Sequence, residues 1–170
     1  MIDSLKQNVI QKPNKINETN WLNHFESLNK DDLNNNREHD LILTKLEMLE
    51  NIPVFNNLDN IITTDEIMLN INLLKNKKSA GLDGITNEML KCGKYQLIKP
   101  LHRLFNSILS RGTYPKIWAE GYIIPIHKKG NIDDPNNYRG ITISSAISKL
   151  FNTVLNNRLT SFLEDNKSYL

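Results

Sequence analysis

The sequence predicts an α+β chain, mostly helical, with one antiparallel β-hairpin. Three observations point there. Apolar residues recur at helical spacing in several stretches between Trp21 and Phe162. Two short apolar runs, Tyr122–His127 and Tyr138–Ile143, flank a segment rich in turn formers. The first third is polar and Asn-rich, with only weak periodicity.

At 170 residues the chain is long enough for one domain with a core and short for two. Apolar residues make up 39%, which predicts an ordered region beside a looser one. We divide it at residue 60: an acidic, partly flexible lead-in with short helices over 1–60, and the ordered part over 61–170. The net charge of +2 implies no polyanion by itself, but its distribution does. Between Glu88 and Glu120 lie Lys91, Lys94, Lys99, Arg103, Arg111 and Lys116 and no acid, while acids concentrate from Glu18 to Glu66. A basic middle behind an acidic lead-in favours a polyanion-facing surface. The single Cys92 excludes an internal disulfide and fits a reducing compartment. No stretch approaches the ~20 apolar residues of a membrane span, and the polar N-terminus has no signal-peptide core. The chain is expected to be soluble and intracellular, with nuclear or cytoplasmic address not visible.

Residues up to about Asn20 read as a flexible lead-in. Trp21, Phe25 and Leu28 then fall at helical spacing, and their aromatic area must dock somewhere. His24 beside them reads as a solvated histidine, since no ligand-spaced partner suggests a metal. A weak helical pattern runs from about Asp40 to Glu50, with Pro53 and Asn56-Asn57 marking loop beyond it. Thr63 and Glu66 have capping-box spacing and open a helix through Ile67, Ile71 and Leu74 that ends at Lys75. The following KNKKSAGLDG is a basic loop whose Gly81 and Gly84 give backbone freedom for close approach to a ligand. From composition alone, a plain helix connection with solvated lysines is the preferred reading.

Thr86 or Asn87 caps a short helix through Leu90. A longer one runs from about Tyr95 to Ser110. Leu97, Ile98, Leu101, Leu104, Phe105, Ile108 and Leu109 lie on one side, with Lys99, His102, Arg103, Asn106 and Ser110 on the other. Pro100 lies in its first turn or kinks it, and Gly112 is a natural stop. The Tyr114-Pro115 turn brings Trp118 onto the core. Two strands, Tyr122–His127 and Tyr138–Ile143, then enclose a projecting tip that carries Lys128 and Lys129, with Arg139 just inside the second strand. Ser144 or Ser145 caps the last helix, which reaches about Glu164. Arg158 falls within its apolar arc, where snorkelling to the edge is the default and a partner the alternative.

The order K-N-K-K-S-A-G-L-D-G-I, E-M-L-K, L-x-x-L-F-N-x-I-L-x-x-G-x-Y-P-x-x-W, I-I-P-I-H-K-K-G, D-D-P-x-N-Y-R-G-I and K-L-F-N-x-V-L-N-x-R-L resembles the start of the reverse transcriptase domain of non-LTR (LINE-type) retrotransposons. Trp21–Leu28 resembles the W-x-x-H-F-x-x-L segment that precedes it. The resemblance covers about Trp21 to Leu163. It implies the fingers region of a right-hand polymerase, with the palm incomplete, in an RNA-directed DNA polymerase. By carry-over, Lys128 or Lys129 and Arg139 contact the triphosphate of the incoming nucleotide, and Tyr138 packs to orient the arginine strand. The loop residues Lys77, Lys78, Gly81, Asp83 and Gly84 lie along the template or primer. Implied partners are an RNA template, a DNA primer, a deoxynucleoside triphosphate and the remainder of the polymerase domain. Two positions depart from the family pattern. Ser79-Ala80-Gly81 stands where Ala-Pro-Gly is usual, and Gly140 stands where proline is common.

The resemblance also implies Mg²⁺ held by carboxylates of a downstream strand and a Y-x-D-D turn. Neither lies before Leu170, and Asp133-Asp134 matches neither. The chain is therefore expected to be a fragment, not competent to polymerise alone, with no catalytic or metal residue. The alternatives are a non-catalytic nucleic-acid-binding module, an inactive retroelement remnant, or a helical interaction protein that leaves the basic hairpin unexplained. A missing palm predicts poor folding alone and marked exposure of Ile147, Phe151 or Phe162.

Overall fold

A computed structural model of the chain describes residues 14–28, 30, 40–45 and 55–165. Helices dominate: α1 (Glu18–Leu28), α2 (residues 40–45), a single turn α3 (Asn56–Asp59), α4 (Thr64–Leu73), α5 (Asn87–Cys92), α6 (Lys94–Arg111) and α7 (Ala146–Asp165). Strands β1 (Gly121–His127) and β2 (Tyr138–Ser144) form one two-stranded sheet. The predicted helix from Asp40 is present over 40–45; its remainder, 46–50, lies outside the described residues. No described helix is long and apolar enough to cross a membrane.

The chain divides into two compact units, one comprising Asn51–Ile123 with Thr142–Leu170 and the other the N-terminal residues to Glu50 with Ile124–Ile141. In the first, local chemistry sets each helix end. Thr63 accepts the Glu66 amide, and the Glu66 carboxylate accepts the Thr63 amide, so the predicted capping box is complete. Thr86 caps α5 and Ser145 caps α7 by the same logic. Gly112 ends α6 in the left-handed conformation at φ 64°. The α4 helix stops at Leu73, two residues before the expected Lys75. The α6 helix starts at Lys94, so Pro100 lies inside it, costing one backbone hydrogen bond without ending the helix.

The core joins Ile62, Ile67 and Ile71 to Leu101 and Phe105 of α6 and to Leu150, Phe151 and Val154 of α7. Phe105 meets Phe151 edge-on at 5.1 Å, and Trp118 meets both rings. Such tilted pairs add to the area they bury. Tyr114 leans on Trp118, and its hydroxyl bonds the Ser148 hydroxyl. The expected exposure of Ile147, Phe151 and Phe162 is corrected here. Phe151 is 3% exposed, Ile147 packs against the core, and Phe162 meets Phe55 at 5.0 Å. The aromatic cluster covers the Phe151 face of α7 from within this unit, while Leu159 further along is 47% exposed.

Arg158 corrects a second expectation. It does not snorkel. Its side chain is 10% exposed, and Nε–H and Nη2–H grip the two oxygens of Glu66 at 2.7 and 2.9 Å. Its remaining donors reach the carbonyls of Leu58, Asn60 and Ile61. All the guanidinium donors are used, which is what burial of that group requires. Asn106, expected on the solvated face of α6, likewise clamps the chain: it accepts the Ile62 amide at 2.8 Å and donates to the Ile62 carbonyl at 2.9 Å.

In the other unit, α1 docks through Trp21, whose ring meets Tyr138 edge-on at 4.8 Å. Phe25 stacks on Trp21, while Leu28, expected in the same stripe, is 64% exposed. His24 is not solvated: its ring sits against Trp21 and Phe25 and its Nε2 is enclosed.

Candidate functional site

The hairpin carries the first group of candidate residues. The Lys128 amide donates to the Asn137 carbonyl at 2.8 Å, which closes the tip and sets the register: Ile126 faces Arg139 and His127 faces Tyr138. Side chains alternate across a strand. Tyr138 and His127 therefore share the face on which α1 docks, with rings 5.0 Å apart. Tyr138 is buried, and its hydroxyl donates to the Ile132 carbonyl at 2.8 Å while accepting from Asn14. It is a packing residue, as the sequence suggested. Arg139 falls on the opposite face with Ile124, Ile126 and Ile141, all exposed. Carried one residue past β1, the same alternation places Lys128 on the Arg139 face. Lys129 follows in the exposed bend before Gly130, whose φ of 88° turns the chain.

Asp133 and Asp134 shape the tip. Asp133 accepts the Lys15 amide at 2.8 Å, and Asp134 accepts the Asn136 amide and side-chain amide, each at 3.0 Å. Among the described residues no group of His, Cys, Asp or Glu side chains could hold a metal ion. These aspartates are spent on loop structure and do not fit a two-metal site.

The second group lies on the loop between α4 and α5. Lys77 and Lys78 are exposed. Lys77 has a left-handed φ of 59°, and its amide donates to Glu88, which holds that carboxyl below the usual carboxylate range. Gly84, at φ 68°, borders open space. Gly81 does approach a backbone closely, and the backbone is the chain's own. A Cβ there would lie 2.7 Å from the Ser145 nitrogen and 2.8 Å from the Ser144 carbonyl carbon. Asp83 completes the fastening: one oxygen accepts the Ser145 hydroxyl at 2.6 Å, the other the Ile85 amide at 3.1 Å. The G-L-D-G stretch thus locks the loop to the junction of β2 and α7. Sequence reasoning found these residues but not this fastening, because Asp83 and Ser145 are 62 residues apart.

No protein-family model matches the chain. Individual proteins do. The chain is 35% identical over 107 residues to a protein named as a probable RNA-directed DNA polymerase from transposon BS of Drosophila melanogaster, covering 62% of this chain and 12% of that protein. It is 32% identical over 99 residues to the RNA-directed DNA polymerase from the mobile element jockey of the same organism, covering 58% and 11%. An X-element relative is 36% identical over 90 residues, covering 52% and 10%. These homologues are RNA-directed DNA polymerases of non-LTR retrotransposons. The chain spans about a tenth of the length of these polymerases, and the similarity covers part of it, roughly half to three-fifths.

Proposed function

We propose that this chain is the fingers segment of a non-LTR reverse transcriptase and that its hairpin closes over the incoming deoxynucleoside triphosphate. One observation carries the reading: the hairpin register gathers Lys128 and Arg139 with exposed isoleucines on one face, away from the face that packs. A nucleotide needs both surfaces. Arg139 offers a planar fork to phosphate oxygens, Lys128 and Lys129 offer point charges, and Ile124 and Ile126 offer apolar area to a base. Closing such cations over a triphosphate supplies positioning and charge stabilisation, the main demands of phosphoryl transfer. Under this reading the loop from Lys77 to Gly84 runs along the template strand. Lys77 and Lys78 supply charge, Gly84 an open backbone, and Gly81 with Asp83 the anchorage. The carboxylates and Mg²⁺ for the chemical step belong to the palm of the wider polymerase, and this segment supplies the contacts.

The test is nitrogen–proton correlation spectroscopy of the 170-residue chain titrated with a deoxynucleoside triphosphate. Shifts should concentrate at Lys128, Lys129, Arg139 and their neighbours, and Lys128→Ala/Lys129→Ala/Arg139→Ala should abolish them. Shifts that ignore the hairpin, or survive the triple substitution, would sink the reading.

A further inference from the structure

We infer that the outer face of α6 is a separate binding groove for an unpaired nucleic-acid strand. The choice of ligand rests on the polymerase reading; the groove itself does not. Helix α6 carries Lys94, Lys99, Arg103 and Arg111 and no acidic residue. Its apolar side is committed to the core through Leu101, Phe105 and Ile108. At 100° per residue Tyr95, Lys99, Arg103 and Ser110 point the other way.

Between this face and the chain at Asp59–Ile61 lies a groove of about 670 Å³. Ile61, 68% exposed, and Leu109 give it an apolar lining, and His102, Arg103 and Arg111 give it a basic one. Among the described residues Asp59 is its one acidic lining residue, and it is turned to its own helix, accepting the Phe55 amide at 2.8 Å. Neither arginine has a carboxylate partner among the described residues. Arg103 and Arg111 are eight residues apart on the helix, about 12 Å along its axis at ~1.5 Å per residue. That separation lets the two guanidinium groups meet different phosphates of one strand.

A basic rim over an apolar lining suits phosphates and bases of a single strand. At the N-terminal end of the face, Tyr95 is 72% exposed and offers a stacking ring.

The experiment is fluorescence anisotropy of the full chain with a labelled oligouridylate across a salt series. Arg103→Ala/Arg111→Ala should weaken binding and lower the slope of log affinity against log salt by about 1.4, at ~0.7 per phosphate contact on a single strand. Arg103→Lys/Arg111→Lys keeps the charge and should keep the slope. An unchanged slope in the alanine variant, with a native circular dichroism spectrum, would overturn the groove. So would an equal loss in the lysine variant, or equally tight binding of a polyglutamate peptide, which would mark a protein partner. Lys128, Lys129 and Arg139 are untouched here, so failure of the groove leaves the triphosphate titration standing, and the reverse.

Discussion

Arg158 and Glu66 show how much one residue pair can decide. The hydrogen bond from Arg158, helped by the Thr63 amide and hydroxyl, holds the Glu66 carboxyl down to about 2 from an ordinary 4.5. A carboxyl depressed in the folded state stabilises it fully above its unfolded value and loses that contribution as pH falls toward the folded one. The window is therefore pH 4.5 down to about 2. With about a third of the Glu66 side chain exposed, solvent screening reduces the contribution to about 1–2 kcal/mol. Glu66→Gln should lower the urea midpoint at neutral pH and flatten its fall across that window. Parallel pH curves for the two proteins would refute the assignment. Arg158→Lys should also destabilise, because an ammonium cannot serve the acceptors that the guanidinium fork reaches. None of this was legible beforehand. The capping box was, because Thr63 and Glu66 are three residues apart. Arg158 lies 92 residues from Glu66, and sequence offered a partner for it only as the alternative to snorkelling, without saying which residue.

At the scale of elements, the hairpin and helices were readable because their signals are local. Both strands begin and end within one residue of the expected positions, and Gly112 and Ser145 end and start their helices as their chemistry predicts. The loop between α4 and α5 was readable only as composition. Its glycines were expected to admit a ligand backbone, yet Gly81 admits Ser144 and Ser145. Gly81→Ala must push backbone against backbone, which a flexible side chain cannot absorb. We expect a loss of about 1–3 kcal/mol, as for overpacking, together with faster hydrogen exchange at Ser145 and Ile147. Ser145→Ala keeps the glycine and should cost less, about 1 kcal/mol for a lost cap. Unfolding midpoints for the two variants decide the order; a larger loss for Ser145→Ala would show that the cap, not the close approach, secures the loop.

On the scale of the whole molecule, the cover that Phe151 and Phe162 of α7 were expected to take from a palm comes from within their own unit, while Leu159 of the same helix stays 47% exposed. The expectation of bare faces on the last helix failed because Phe105, Trp118 and Tyr114 wrap Phe151, and Phe55 covers Phe162. Hydrophobic periodicity identifies which residues seek cover but not which partner supplies it. The similarity to retrotransposon polymerases was legible in the motif order. The exposure of the isoleucine face beside Lys128 and Arg139 was not, since an apolar strand residue reads as buried by default.

The two units also have a consequence for chain topology. One unit runs through Ile123 and resumes at Thr142, and the register places those residues opposite each other across the ladder. The hairpin tip is thus an insertion that leaves and re-enters its host at adjacent points, the arrangement most tolerant of excision. Replacing 124–141 by an Asn-Gly turn should leave the Phe105–Phe151 core unfolding as one cooperative transition, with its urea midpoint little changed. Loss of that transition would mean the insertion supports its host. Otherwise the tip is a graftable cassette, and tips of different sequence could be exchanged on one scaffold and compared without disturbing the core that carries them.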